Sequence, residues 1–271
     1  MIKIDIAYEE QPEEKRRGHL GGSLIGHSCS RHIWYSFRWY KKEKFNGRML
    51  RLFERGHLEE DRFAKGLRMA GYKVRGVKPD PQERFTILGH FSTEVDGFVE
   101  TPSKTRSTKG TLEFKTYSHK NFLKLLGLTE KAYKEQRDKV EFVPDVKEKA
   151  PRHYSQCQAG MGKSGSNRCL YMAVNKNDDC LAVAWVMFDH DHFEHLKDKA
   201  EGIMYLEIPP PKNESWECNM CNFKDICLKG EQPEKNCRTC KNSKATREGG
   251  WVCSRFGKLE TQDEEKFCYE K

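Results

Sequence analysis

The sequence lacks any apolar run long enough to cross a membrane. Its longest, CLAVAWVMF at 180–188, is about nine residues long, whereas a spanning helix needs roughly twenty. The first ten residues, MIKIDIAYEE, carry acidic side chains and lack the apolar core of a signal peptide. These absences argue against an integral membrane protein. We therefore expect a soluble, cytoplasmic protein without a membrane partner.

Charge, by contrast, is abundant. Charged side chains make up 33% of the 271 residues, and the formal net charge is +8. A basic balance favours a polyanionic partner such as nucleic acid over an acidic protein or a neutral ligand. A basic surface that serves only solubility would give the same number. The length allows one full core and a smaller module.

Two strand-like runs, HFSTEVDGFV and TLEFKTY, flank a polar loop in the first half of the chain. Glu113 and Lys115 lie two apart in the second run, so both project from the same face. Leu112 and Phe114 point the other way. Turn-forming residues in the loop predict a hairpin that brings Asp96 of the first run beside Glu113.

Two carboxylates beside one ammonium suit a hard divalent cation, because carboxylate oxygens bind Mg²⁺ or Mn²⁺. The lysine can orient a water molecule or stabilise charge that develops on a phosphate. Phosphodiester hydrolysis is the chemistry that fits this set. Alternating charges on a strand are as often a solvated sheet face, so the pattern alone leaves both interpretations open.

Residues 49–69 have the strongest helical periodicity in the sequence. Their apolar stripe carries His57 and Glu60 in its middle, whereas Glu59 points elsewhere and is expected to be solvated. Burying an imidazole and a carboxylate costs several kcal/mol unless they are paired. A metal would pair them, and so would an ordinary hydrogen bond or salt bridge.

Several polar residues beyond the hairpin are candidates for contact with a nucleotide or with water near the metal. They lie on a helix after the hairpin, on a helix that Pro151 opens, and beside the turn between the last two predicted strands. Solvent exposure would account for each of them equally well. They are Lys120, Tyr154, Gln156, Gln158 and Lys176.

Eleven cysteines without a secretion signal predict metal ligands rather than disulfides. Cys218, Cys221 and Cys227 form a C-x2-C-x5-C run, which Cys29 could complete from the start of the chain. Four thiolates at this position suit either a [4Fe-4S] cluster or zinc.

A second cysteine set is self-contained and suits tetrahedral Zn²⁺. It comprises Cys237, Cys240, Cys253 and Cys268. Three further cysteines are left over, and we expect them to be core residues. They are Cys157, Cys169 and Cys180.

Together these residues resemble the RecB-type branch of the PD-(D/E)XK nuclease superfamily, particularly phage-type exonucleases and CRISPR-associated nucleases that trim new spacers. The resemblance covers about residues 19–230. Gly160 departs from it, because the family's Q-x-x-x-Y motif has tyrosine there. The motifs that carry it are SLIGHSCSR at 23–31, Gly56-His57, Asp96-Gly97, Glu113-Phe114-Lys115-Thr116, Gln156, and Cys218, Cys221 and Cys227.

The resemblance implies an α/β fold, a restriction-endonuclease-like central mixed sheet flanked by helices. Three parts are expected along the chain: an N-terminal arm (1–17), a nuclease core closed by an iron–sulfur cluster (18–230), and a four-cysteine zinc-binding module (231–271). The cluster would be structural. It would join residues around 29 to residues around 220.

The resemblance also implies the roles of the site residues. His57, Asp96 and Glu113 would bind Mg²⁺ or Mn²⁺, Lys115 would orient the attacking water, and Gln156 would belong to the catalytic set. DNA would be contacted by Lys120, Tyr154, Gln158 and Lys176.

The expected function is a metal-dependent DNA exonuclease that acts on single strands or DNA ends in phage-type recombination or DNA processing. A single-strand annealing protein is the matching recombination partner, and an oligomer is allowed because phage-type relatives include ring-forming members. An endonuclease or a spacer-trimming nuclease is the alternative with the same chemistry. A non-catalytic DNA-binding scaffold is the alternative of another class.

Overall fold

A computed structural model describes residues 3–12, 16–77, 80–103 and 107–259. It has a mixed α/β fold with sheets flanked by helices, as predicted. The helices are α1 (Lys3–Glu9), α2 (Gly22–Ile25), α3 (Ser30–Phe37), α4 (Gly47–Met69), α5 (His119–Leu126), α6 (Glu130–Gln136), α7 (Val146–Lys149), α8 (Pro151–Ser164), α9 (His190–Met204) and α10 (Lys224–Lys229). The strands are β1 (Leu20–Gly21), β2 (Lys73–Arg75), β3 (Arg84–Leu88), β4 (Phe91–Glu94), β5 (Gly97–Glu100), β6 (Lys109–Tyr117), β7 (Arg168–Asn175), β8 (Leu181–Met187), β9 (Ser243–Ala245), β10 (Trp251–Cys253) and β11 (Gly257–Leu259).

A five-stranded sheet with the order β2-β5-β6-β7-β8 forms the centre of the fold. β6 and β7 run parallel, and the other neighbours are antiparallel. The predicted hairpin is present as β5–β6, with Gly97 opposite Leu112. The predicted last hairpin is present as β7–β8, and Asp179 takes a positive φ of 57° in its turn.

Helices cover both faces of this sheet. On one face, α4 buries Phe63 in a cluster with Leu112 and Phe114 of β6. On the other face, α8 packs Met161 in a cluster with Tyr171 of β7. Because the central strands are enclosed on both sides, β7 is almost entirely apolar and buried. One face of β6 carries Leu112 and Phe114, and only the other face carries charged side chains.

A second sheet, β1-β4-β3, lies beside a separate core. Trp34 of α3 and Ile203 of α9 belong to this core, and so does Trp251 of β10. Trp251 is 1% exposed. The third sheet, β11-β10-β9, is antiparallel, and through Trp251 it shares this core with elements from the start of the chain.

A buried arginine attaches the C-terminal segment to the N-terminal part. Arg238 donates hydrogen bonds to the carbonyl oxygens of Phe37 at 3.0 Å and Gly18 at 2.8 Å. Asn236 Nδ2 donates to the Trp39 carbonyl at 3.0 Å. The described part of the predicted zinc module is thus packed into the rest of the protein. Its metal content stays a prediction.

The first residues form a helix where a loose arm was expected. The Glu9 carboxylate accepts a hydrogen bond from Gly47 N at 2.8 Å, and Asp5 pairs with Arg51. No residue of α1 is buried, and these polar contacts help to hold it against α4.

Residues 119–136 form two helices rather than the one that was predicted. Gly127 ends α5, and the Thr129 hydroxyl caps α6 by accepting a hydrogen bond from Ala132 N at 3.3 Å. Across the described ranges, no helix has the length and apolar character required to span a membrane.

Candidate active site

Strand register brings Asp96 and Glu113 together. Asp96 immediately precedes β5, and its N–H donates to the Leu112 carbonyl at 3.3 Å. Its Oδ2 accepts a hydrogen bond from Phe114 N at 2.7 Å. Gly97 follows with φ 147°, a conformation that side chains rarely adopt, and this lets the chain bend at Asp96. The predicted neighbourhood of the two carboxylates is present.

Lys115 completes this group, and its ammonium donates a hydrogen bond to Glu113 Oε1. Burial raises the pKa of Glu113 to about 8 even though Lys115 opposes the shift. Burial also raises the pKa of Asp96. The pKa of Lys115 is raised as well, because the two carboxylates outweigh the burial that opposes its charge. The centre therefore holds one ammonium beside two buried carboxyl groups.

The α4 side of the centre contributes His57 and Glu60. The charge on His57 opposes the rise in the Asp96 pKa, and Glu60 adds to the rise in the Glu113 pKa, so both side chains lie near the centre. His57 is exposed and Glu60 is half-buried. The prediction that both lie within a core face was therefore wrong for His57, because the buried face of α4 is formed later in the helix, around Phe63.

Glu59 also differs from its prediction, because it is only 8% exposed. Its Oε1 accepts a hydrogen bond from Arg62 Nη1 at 3.0 Å. This pairing within one turn of α4 satisfies the charge that burial would otherwise leave without a partner. Glu59 therefore needs no metal to account for its position.

A polar network that the sequence did not reveal lies behind Lys115. The Tyr117 hydroxyl is 2.9 Å from His153 Nδ1 and 2.7 Å from the Tyr171 hydroxyl. Burial, followed by the charges of Lys115 and Arg152, lowers the pKa of His153 to about 3. Strand alternation could have identified Tyr117, because it lies two residues after Lys115 on the same face.

Two of the residues predicted to contact DNA are enclosed by protein. Gln158 is 0% exposed, and its amide bonds the Met187 carbonyl at 2.9 Å and Asp189 N at 2.8 Å. The Tyr154 hydroxyl donates to Asp189 Oδ2 at 3.0 Å, and the residue is 6% exposed. Both join α8 to the segment before α9. This placement corrects the prediction, since neither side chain is available to a strand of DNA.

The other predicted polar residues remain accessible. Gln156 is half-buried on α8 and precedes Cys157, a buried thiol that is close enough to the centre to raise the pKa of Lys115. Lys120 is exposed on α5. Lys176 is half-buried after β7, and its N–H donates to the Tyr117 carbonyl at 2.9 Å.

All four cysteines of the first set line one surface pocket of about 310 Å³. Cys29 lies at the N-terminus of α3, and Cys227 lies on α10. Cys218 Sγ donates to the Asn213 carbonyl at 3.0 Å, and Cys221 Sγ is 3.5 Å from a nitrogen of His32, which also lines the pocket. The structure thus places Cys29 with the distant C-x2-C-x5-C run, as the sequence suggested.

The second cysteine set is described in part, because Cys268 lies outside the described residues. Cys237 and Cys240 flank a tight turn, and Cys240 N donates to the Cys237 carbonyl at 3.2 Å. Cys253 is buried in β10. Of the leftover cysteines, Cys157 and Cys169 are buried as expected, and Cys180 is half-buried.

Within the described ranges, no three His, Cys, Asp or Glu side chains are already gathered closely enough to hold one ion. At the carboxylate centre, Glu113 is instead paired with Lys115. In the cysteine pocket, Cys218 is bonded to the backbone. A metal at either place would have to displace these contacts.

No family model and no curated protein matches this sequence. Two solved structures of LHK-Exo, an alkaline exonuclease from Laribacter hongkongensis, are similar to this chain over 69% of its length and 87% of theirs. The complex with dAMP is 14% identical with a TM-score of 0.45, and the second structure is 15% identical with a TM-score of 0.43. Values at this level identify no family for this chain.

Proposed function

We propose that this protein is a divalent-metal-dependent deoxyribonuclease of the PD-(D/E)XK type that digests DNA from its ends. The observation that carries the proposal is the convergence of Asp96, Glu113 and Lys115 on one side of β6. A solvated sheet face would leave these charges exposed and separate. Instead, Glu113 is 2% exposed and bonded to Lys115.

The donor set at this centre fits a divalent cation. Burial raises the pKa of both carboxylates, and the charge of a cation would offset the cost of ionising them. His57, Asp96 and Glu113 would hold the ion, which when bound supplies polarisation of the phosphate and stabilises the leaving 3′ oxygen. A nitrogen ligand beside two carboxylates tolerates softer ions, so activity with Mn²⁺ should at least equal that with Mg²⁺.

The protein's own groups then position the reactants. The Phe114 N–H holds the Asp96 carboxyl group in place through Oδ2, and this hydrogen bond does not use Oδ1. Lys115 is an ammonium at neutral pH, and it can donate a hydrogen bond to the attacking water and hold its oxygen toward phosphorus. Gln156, Lys120 and Lys176 are the accessible polar groups that would contact the nucleotide.

DNA ends are the proposed substrate, and recombination or DNA processing of the phage type, with a single-strand annealing partner, is the proposed setting. The net charge of +8 supports a polyanion. An endonuclease or a spacer-trimming nuclease would use the same centre. Covalently closed circular DNA separates these functions, because an exonuclease leaves it intact.

We also propose a structural [4Fe-4S] cluster at Cys29, Cys218, Cys221 and Cys227. Four sulfurs around one Zn²⁺ lie roughly 3.8 Å apart, because each Zn–S bond is about 2.3 Å. All four thiols line one surface pocket, so a single four-thiolate group can join them, and the C-x2-C-x5-C spacing with a distant fourth cysteine is the pattern that resembles the iron–sulfur nucleases. Zinc at the second cysteine set, completed by Cys268, is the accompanying proposal.

The decisive experiment compares Lys115→Ala with Lys109→Ala on end-labelled linear DNA with Mn²⁺. Lys109 lies on the same strand but is exposed and pairs with Glu100. We expect Lys115→Ala to lose at least about 100-fold in cleavage rate, with DNA binding in EDTA preserved, and Lys109→Ala to cleave normally. An unchanged rate in Lys115→Ala would overturn the role assigned to Lys115, whereas binding without cleavage by the wild-type protein would leave only the non-catalytic scaffold.

The cysteine proposal is tested by purifying the protein anaerobically and measuring its metal content and visible spectrum. A thiolate-bound cubane cluster should absorb at about 400 nm. Stoichiometric zinc without this absorption would assign zinc to the first set as well.

A further inference from the structure

Two exposed aromatic rings lie at the start of α4. Phe45 and Phe53 meet edge to face, with ring centroids 4.8 Å apart and planes at 88°. Phe45 is 39% exposed and Phe53 is 40% exposed. The two side chains therefore form one small aromatic surface that faces water.

This aromatic pair lies in line with the carboxylate centre. Phe53 and His57 are four residues apart on α4 and are therefore neighbours on one face, roughly 6 Å apart along the helix axis. Glu60 follows on the same side of the helix and is close enough to Glu113 to raise its pKa. A strand whose phosphate lies at the centre would pass the aromatic pair within one or two nucleotides.

Exposed cations lie beside the pair in the chain. Lys44 and Arg48 are exposed, and neither has a carboxylate partner among the described residues. Exposed aromatic rings beside unpaired cations are the two components with which proteins bind single-stranded nucleic acid: the rings stack on bases and the cations follow the phosphates.

Helix capping does not account for the pair. A hydrophobic staple would join Phe45, which precedes the cap, to Leu50 in the first turn. Phe45 instead contacts Phe53, almost one turn further along. The helix start is already capped by Asn46 Oδ1, which accepts a hydrogen bond from Met49 N at 3.0 Å.

We propose that Phe45 and Phe53 form a stacking platform for a base of the single-stranded DNA segment next to the cleaved bond. The proposal rests on the nuclease function above and deepens it by naming the form of the substrate. Stacking uses the face of the base, which every base has. The platform therefore holds a strand without selecting a sequence.

The test measures binding in EDTA, where cleavage cannot occur, of two labelled oligonucleotides of equal length, one normal and one with abasic sites throughout. Wild-type protein should bind the normal strand roughly 10-fold more tightly, the value expected for one stacked base. Phe53→Leu keeps an apolar contact with Phe45 but removes the ring, and it should lose most of this preference. Phe53→Trp should retain it.

Leu58→Ala is the matched control, because Leu58 is also exposed on α4, at 60%. It should keep the wild-type preference. Thermal unfolding of Phe53→Leu at the wild-type temperature would show that the fold is intact. A wild-type preference in that folded variant would overturn the platform.

The outcomes separate this inference from the function on which it rests. If wild-type protein cleaves linear DNA but binds both oligonucleotides equally, the platform is overturned and the nuclease stands. If it neither binds nor cleaves DNA, both are overturned. Loss of preference in Phe53→Leu with retention in Leu58→Ala supports the platform.

Discussion

The carboxylate centre and the cysteine pocket are assembled in different ways. The centre is built on paired strands: β5 and β6 set Asp96 opposite Glu113, and backbone hydrogen bonds fix this register. The pocket draws its ligands from α3, from a tight turn and from α10, and its four thiols are only half-buried. Sheet pairing determines the first site whether or not an ion is bound, whereas the second depends on the packing of Phe223 and its neighbours against α3 and has no strand pairing.

This difference predicts opposite consequences for stability. Replacement of Glu113 at the centre removes the cost of ionising a buried carboxyl group and leaves Lys115 with Asp96 as its charged neighbour. Removal of a ligand from the pocket loses metal-binding energy, and in small metal-bound units that energy is folding energy. The two sites are therefore best compared by unfolding measurements on single variants.

The largest effect on stability is expected for Cys227→Ser. Loss of the cluster should lower the unfolding temperature by about 10 °C, because several kcal/mol of stability shift a protein of this size by that amount. Absorption at about 400 nm should disappear with it. Cys180→Ser, which changes a half-buried cysteine outside both sets, should leave both measurements unchanged. Equal unfolding temperatures for Cys227→Ser and wild type would contradict a structural cluster.

A smaller effect of opposite sign is expected for Glu113→Gln in metal-free protein. Because the folded pKa of Glu113 is raised to about 8 from an ordinary value near 4.5, ionisation destabilises the folded state as pH rises through this window. Glu113→Gln cannot ionise, so it should exceed wild type in unfolding free energy by a few kcal/mol at pH 9 and by much less at pH 5. Denaturant unfolding at both pH values measures this.

Divalent cation provides the control for that prediction. Mn²⁺ should stabilise wild-type protein at pH 9 and should have little effect on Glu113→Gln, which lacks one carboxylate ligand. If the wild-type free energy of unfolding does not change between pH 5 and pH 9, ionisation of Glu113 has no cost in the folded protein. The proposed need for a cation at the centre would then be lost.

The contrast between strand pairing and the packing of distant elements also determines how much of the structure the sequence could predict. Alternation along a strand placed Glu113 and Lys115 on one face and Leu112 on the other, because the period of a strand is fixed by its backbone. The long helix at 49–69 was equally visible from its periodicity. Sequence separation hid the Tyr117–His153 contact, since side chains 36 residues apart meet only through the packing of α8 on the sheet.

Helix faces were predicted less well than strand faces. Gln158 and Tyr154 are polar, and nothing in their spacing distinguishes a surface residue from one that bonds a neighbouring backbone. Likewise, an N-terminal arm was expected at 1–17, whereas the carboxylates of Asp5 and Glu9 contact the first residues of α4. The contacts of such polar residues depend on tertiary structure and leave no periodic pattern in the sequence. They therefore could not be predicted from periodicity.

The docking of α1 allows a third and smallest test, on an element that neither sheet register nor metal holds in place. A Cβ added at Gly47 would lie 2.2 Å from the Asp5 carbonyl oxygen, so Gly47→Ala should displace α1. Gly66→Ala is the control, because on the same helix its Cβ would meet nothing within 4 Å. We expect amide hydrogen exchange in residues 3–12 to accelerate at least about 10-fold in Gly47→Ala alone.

Global stability should barely change in Gly47→Ala, because α1 buries no residue. Alanine is also a better helix former than glycine, which offsets part of any loss. DNA cleavage should stay at the wild-type rate, since Asp96, Glu113 and Lys115 are positioned by strand pairing and not by α1. A loss of cleavage in Gly47→Ala, with Gly66→Ala unaffected, would instead show that the position of α4, and of His57 on it, depends on the first residues of the chain.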